Sequence, residues 1–220
     1  MKKSKSLLIV TCIVYLFLIG PLLIIAAASF SDTNYLTFPG KGFTLRWYAQ
    51  IFQIHSFIAA ARMSVFIAVG ATLIALVLGL PAAYALNRYP MKGKEAIQSL
   101  FLSPVLIPVI VLGFVMLRYV VNQYHLPVVA SLLVGHTILS IPYIMRVVTA
   151  SLSNFDFSVE EAARSLGATQ MYTFFKIVLP NIKSGIASAC IMAIINSFNN
   201  VSLSAFLTGA GVTMLPIEMM

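Results

Sequence analysis

Acidic residues are what this sequence most lacks. Of 220 residues only six are Asp or Glu, and all charged residues together make up 9% of the chain. A soluble domain carries roughly a quarter of its residues as charges, so this chain has too little polar surface to cover itself in water. None of the acids (Asp32, Glu95, Asp156, Glu160, Glu161, Glu218) falls inside a long apolar run. Carriers coupled to protons or Na⁺ place carboxylates within their bundle, and their absence counts against a secondary transporter. Cysteine is almost missing too: Cys12 and Cys190 both lie in apolar runs, so neither a disulfide framework nor a thiol site is indicated. The three histidines, His55, His125 and His136, are scattered, and no H-E-x-x-H or Cys-x-x-Cys spacing points to a metal. No G-x-x-x-x-G-K-[ST] or G-x-S-x-G pattern occurs, and Gly40-Lys41-Gly42 reads as a turn. Catalytic residues, cofactor-binding residues and metal ligands are therefore none. A membrane machine without an internal energy source must draw on a partner.

What is abundant is apolar sequence, 60% of the chain. Runs long enough to cross a bilayer need about 20 residues, and five are expected. The first, Leu7 to Ala28, follows Lys2, Lys3 and Lys5; it exceeds the ~7–15 residues of a signal-peptide core and reads as an uncleaved anchor bent at Pro21. A turn-rich interval, Ser29 to His55 with Pro39-Gly40-Lys41-Gly42, then carries Arg46-Trp47-Tyr48 and Phe43, aromatic rings suited to headgroup depth. The second span covers Ala60 to Leu86, where Ala71, Ala75, Gly79 and Ala83 recur every four residues and make a smooth packing face. The third, Ala96 to Leu117, holds Pro104 and Pro108, which free backbone carbonyls and bend it. The fourth, Pro127 to Ala150, contains His136 and Pro142-Tyr143; an ionisable residue there is either a functional site or a hydrogen bond between helices. Arg146, near its end, can snorkel. The fifth, Ser184 to Leu207, carries Asn196, Asn199 and Asn200 at i, i+3 and i+4, one amide face turned to protein or to water. His136, Asn196, Asn199 and Asn200 are the candidates for a translocation path.

Between the fourth and fifth spans, residues 151–183 form a polar helical hairpin. Ser158 and Glu161 have capping-box spacing, Glu160 and Glu161 put negative charge in the first turn, and Gly167 suits a left-handed C-cap. A second helix is expected from Thr169, stopping by Pro180. Two domains follow: an anchor with an external interfacial segment (1–58) and a bundle with its hairpin (59–220). Basic residues fix the orientation. Lys2, Lys3, Lys5, Arg88, Lys92, Lys94, Arg146, Arg164, Lys176 and Lys183 fall on one side, and only Lys41, Arg46, Arg62 and Arg118 on the other. By the positive-inside rule the N-terminus and the hairpin are cytoplasmic. These flanking cations are topology signals, so no nucleic acid is expected among the partners.

Glu161-Ala162-Ala163, then Gly167, Ile177 and Leu179-Pro180 at fixed spacing, resembles the EAA loop of permease subunits from binding-protein-dependent ABC importers at every fixed position. The resemblance implies an all-α integral membrane bundle of the type I importer permease kind, with five spans seen here and a sixth missing. It implies a bacterial inner-membrane subunit that forms half of a translocation path, beside a second permease subunit, cytoplasmic ATPase subunits and an extracytoplasmic substrate-binding protein. Glu160, Glu161, Ala162, Ala163, Leu166 and Gly167 would dock on the ATPase. Gly167→Asp is expected to abolish transport while leaving insertion intact. Leu45-Arg46-Trp47-Tyr48, Ser197-Phe198-Asn199-Asn200 and Phe206-Leu207-Thr208-Gly209 look most similar to the second permease of spermidine/putrescine importers. Aminoethylphosphonate, iron or another small solute are alternatives, since Asn199 and Asn200 stand where such permeases often carry an acid. Alternatives of another class are a secondary transporter and a non-transporting membrane assembly subunit.

Overall fold

The computed structural model describes residues 5–33, 35, 40–209 and 211–220. Lys2, Lys3 and Pro39, which the sequence reading used, lie outside them. The chain divides into two compact units, Met1–His55 and Ser56–Met220.

In the first unit, helix α1 (Lys5–Ala28) runs through Pro21 without ending. Its large side chains, from Leu7 to Ile25, are exposed. A helix apolar all round and unburied has lipid as its solvent. Helix α2 (Arg46–Ile51) is tied back to the turn after α1: the Trp47 indole donates to the Ser31 carbonyl at 2.9 Å and Arg46 pairs with Asp32 at 3.4 Å.

The second unit is a helical bundle. Helix α3 (His55–Arg88) and helix α6 (Val128–Ser153) are continuous and long enough to span a membrane. They meet along the small-residue stripe: Ala71, Ala75, Gly79 and Ala83 are all buried. A Cβ on Gly79 would come within 2.9 Å of Ile144 Cγ2 on α6. Lipid gives no hydrophobic drive to such contacts, so close backbone approach and dispersion hold the pair together.

The third span is broken rather than bent. Helix α4 (Lys94–Leu102) and a 3-10 turn (Ser103–Leu106) end at Ile107, and helix α5 (Val109–Val115) with a π turn (Met116–Val121) leaves at 93°. Ile107 is extended (φ −88°, ψ 125°), as a residue preceding proline prefers, and Pro108 supplies no N–H to carry the ladder across.

The hairpin and the last apolar run also depart from expectation. Helix α7 (Ser158–Ser165) is followed by α8 (Gln170–Thr173), a π turn (Phe174–Val178) and α9 (Leu179–Asn181). The second hairpin helix therefore passes through Pro180, because proline at the first positions after the π turn sacrifices no bond the turn needs. It breaks at Ile182 and turns 71° into α10 (Lys183–Phe198). Helix α10 ends well before Leu207; helix α11 (Val201–Leu207) and the short α12 (Leu215–Glu218) follow. Counting each bent pair as one span, the described residues hold five candidate spans, three of them continuous.

Two apolar clusters hold the bundle. One gathers Tyr84, Ile144, Met145, Leu152, Val178 and Ile182 near the hairpin. The other gathers Ile67, Met116, Leu132, Leu203, Leu207 and Met214.

Candidate functional site: a clamped hairpin and an amide groove

The hairpin is built by two backbone devices. At its start the Ser158 N–H donates to Asp156 Oδ1 at 2.9 Å. Asp156, and not a Ser158–Glu161 capping box, is therefore the cap; Glu161 is turned aside to an arginine. The Ser158 backbone N–H holds the Asp156 carboxyl below its ordinary range. At the far end of α7, Gly167 sits at φ +91°, with Ala168 N–H bonded to Ala163 O (3.1 Å) and Gly167 N–H to Arg164 O (3.0 Å). That pair of bonds is a Schellman motif, and the positive φ is why the position is glycine. Thr169 Oγ1 then accepts from Tyr172 N–H at 3.3 Å and opens α8.

These devices sort the expected docking residues into two faces. Val159, Ala162 and Leu166, at i, i+3 and i+7, lie on the open side with Glu161, and Leu166 is 90% exposed. Ala163 is half-buried. Glu160, expected to dock, is instead fully buried. Its carboxylate accepts from the Tyr84 hydroxyl at 2.9 Å and lies 3.3 Å from Arg88 Nε, both on the last turns of α3. The Arg88 contact is charge against charge without hydrogen-bond alignment; Arg88 Nη2 also pairs with Glu161 Oε1, 3.1 Å away. Arg88 is also layered on Phe157, 5.4 Å from its ring centre. Removing one member of a buried pair strands the other charge, at about 3–5 kcal/mol.

The second hairpin helix meets the same foot of α3. Phe174 packs edge-on to Tyr84 at 4.9 Å, and Gln170 donates to the Tyr89 hydroxyl at 2.6 Å. Val178 is consequently buried and Phe174 half-buried, while Phe175 is exposed. The sequence reading missed Tyr84, Arg88 and Tyr89. Arg88 was legible only as a topology signal.

The amides form a different arrangement from the one expected. Helix α10 stops at Phe198, so Asn196, Asn199 and Asn200 do not share one helical face. Asn199 caps α10, and Asn200, extended (φ −82°, ψ 93°), accepts from Leu203 N–H at 3.0 Å and caps α11. The break nevertheless gathers all three around one groove of about 460 Å³, with Tyr143, Met192 and Ile195. Tyr143 on α6 donates to Asn196 Oδ1 at 3.1 Å. His136 does not line that groove. It is buried, its Nδ1 2.8 Å from Ser197 Oγ and its Nε2 3.5 Å from Ser204 Oγ, and Ser204 in turn donates to the Asn200 carbonyl at 2.6 Å. The imidazole thus bridges α6 to both sides of the break. Toward the hairpin, Ser151, Asn154, Ser184 and Ser188 line a further groove of about 300 Å³ on the same two helices.

Residues 75–220 match the model of the family described as binding-protein-dependent transport system inner membrane component. The chain belongs to this family. It is a transport component of a membrane, working with a binding protein. It is 31% identical over 207 residues to the spermidine/putrescine transport system permease protein PotC of Haemophilus influenzae, covering 94% of this chain and 80% of that protein. It is 29% identical over 222 residues to the putrescine transport system permease protein PotI of Escherichia coli (strain K12), covering 98% and 79%. Among solved structures, a chain of a bacterial ABC transporter involved in the import of the acidic polysaccharide alginate superposes with a TM-score of 0.71 at 18% identity. That match covers 99% of this chain and 80% of the other, and bears on the fold alone.

Proposed function

We propose that this permease forms half of the translocation path of an ATP-driven importer of polyamines and takes its energy from an ATPase on separate chains. The open Val159–Ala162–Leu166 face of α7 carries this reading. A leucine 90% exposed on a rigidly capped polar helix is an apolar edge in want of a partner. Glu161, Ala162 and Leu166 are its contact residues, while Ala163 and Gly167 set its angle. The charge bias places the hairpin and the N-terminus in the cytoplasm. A second permease subunit, this chain's own copy or another, closes the path opposite α6 and α10.

The path runs along the grooves between α6 and α10. Ser184, Ser188, Met192, Ile195 and the cap residue Asn199 recur at spacings of three and four along α10, so a line of side chains, polar at both ends and apolar at Met192 and Ile195, leads from the hairpin end toward the amides. Asn196, Asn199, Asn200 and Tyr143 offer neutral acceptors to an ammonium cation; His136 holds the break behind them. The relatives' names supply the polyamine, and no catalytic residue is needed on this chain.

Uptake of labelled spermidine in cells with and without the chain, competed by putrescine, aminoethylphosphonate and ferric ion, tests this. Loss of polyamine-competable uptake on deletion is expected. Unchanged polyamine uptake overturns the substrate, and the competitor panel then identifies its replacement.

A further inference from the structure

The hairpin is joined covalently to α6 before it and α10 after it, but it is also gripped by α3, to which neither end connects. Several contacts make the grip. Glu160 of α7 is enclosed by Tyr84 and Arg88 (2.9 and 3.3 Å), Glu161 pairs with Arg88 (3.1 Å), Phe174 of the second hairpin helix packs on Tyr84 (4.9 Å), and Gln170 holds Tyr89 (2.6 Å). Each of them is made by the last turn and a half of α3 or the residue after it.

We propose that Tyr84, Arg88 and Glu160 are positioning residues that transmit motion of the docked hairpin into α3, making α3 a third moving element beside α6 and α10. This rests on the reading that α7 docks on an ATPase. Burial makes the link stiff. A carboxylate with no exposed surface, facing a guanidinium that is 16% exposed, has no water to replace its partners, so the pair separates only at a large desolvation cost. From its foot α3 continues as one helix of 34 residues, roughly 51 Å at 1.5 Å per residue. Its Ala71–Ala83 stripe lies against α6 with no gap at Gly79, so displacement at the foot travels along the helix rather than being absorbed. A packing element without this role would alter stability alone and leave the movements of the spans unchanged.

Spin labels test it in the complete complex with its ATPase subunits, in lipid nanodiscs, with Cys12 and Cys190 replaced by serine. One pair joins Leu100→Cys on α4 to Val77→Cys on α3, and a second joins Leu100→Cys to Ile191→Cys on α10; all three side chains are exposed. Trapping with ATP and vanadate should change both distances in the otherwise unaltered protein. In Glu160→Gln/Arg88→Met the α3 change should shrink and the α10 change persist. Tyr84→Phe, which removes a single hydroxyl, should reduce the α3 change in a protein that folds normally. An undiminished α3 change in both variants overturns the proposal. If neither distance responds in the unaltered complex and Leu166→Glu retains its ATPase, the docking reading falls, and this inference with it.

Discussion

Gly167 shows how one backbone angle fixes a surface. A Cβ there would meet no atom within 4 Å, so space is not what excludes a side chain; the φ of +91° is. A left-handed conformation costs an ordinary residue about 1–2 kcal/mol, and Asn or Asp less. Gly167→Val should therefore impair transport more than Gly167→Asn, with insertion unchanged in both, as uptake and membrane fractionation would report. Asp156 at the other end of α7 has an ionisation consequence. Its pKa is lowered by the Ser158 N–H, so its stabilisation is complete above the ordinary aspartate pKa and is lost as pH falls through the lowered value. Exchange protection of the first turn of α7 should fade on that acid limb, and Asp156→Ala should abolish the pH dependence. His136→Leu should leave Ser197 Oγ without its imidazole partner, a loss of about 1–3 kcal/mol. Thermal unfolding in detergent would register it, and Ser197→Ala in the same background should recover part.

At the scale of elements, the closest approach is between α6 and α10. A Cβ on Gly185 would collide with Ser151 Oγ and come within 2.6 Å of Ser151 Cβ. Gly185→Ala should cost about 1–3 kcal/mol by overpacking. Ser151→Ala should rescue it only partly, and Ser151→Gly should rescue more, as paired melting curves would show. This contact was not legible from sequence, because Gly185 and Ser151 belong to no repeating pattern. The α3 stripe was legible, since Ala71, Ala75, Gly79 and Ala83 announce their face by spacing. Breaks were half legible. Pro104 and Pro108 marked where the third span would deform, yet not that Ile107 would turn extended and open a 93° corner. The end of α10 at Phe198 was only weakly marked, because asparagine favours caps yet can also sit within a helix. Local chemistry left both readings open, and packing against α6 decided between them.

Across the whole molecule, the hairpin's outer face could be read from its spacing and its inner face could not. Glu160 and Tyr84 are 76 residues apart, and nothing in either neighbourhood names the other. The same holds for Tyr143 and Asn196, 53 apart. The hairpin's outer face carries a local motif at fixed spacing. Residues that contact each other across the bundle leave only their individual polarity, which is why Arg88 read as a topology marker and His136 stayed ambiguous. The length of α10 has a further consequence. Its 16 residues reach about 24 Å, short of the roughly 30 Å of a bilayer's hydrocarbon core. A helix this short is accommodated by thinning of the bilayer or by snorkelling of a flanking residue such as Lys183, at a modest energy per ångström. Reconstitution into lipids of graded chain length should give fastest uptake in thinner bilayers and a progressive decline in thicker ones. On that outcome the surrounding lipid is a mechanical load on α10, and membrane thickness a variable that sets the permease's rate.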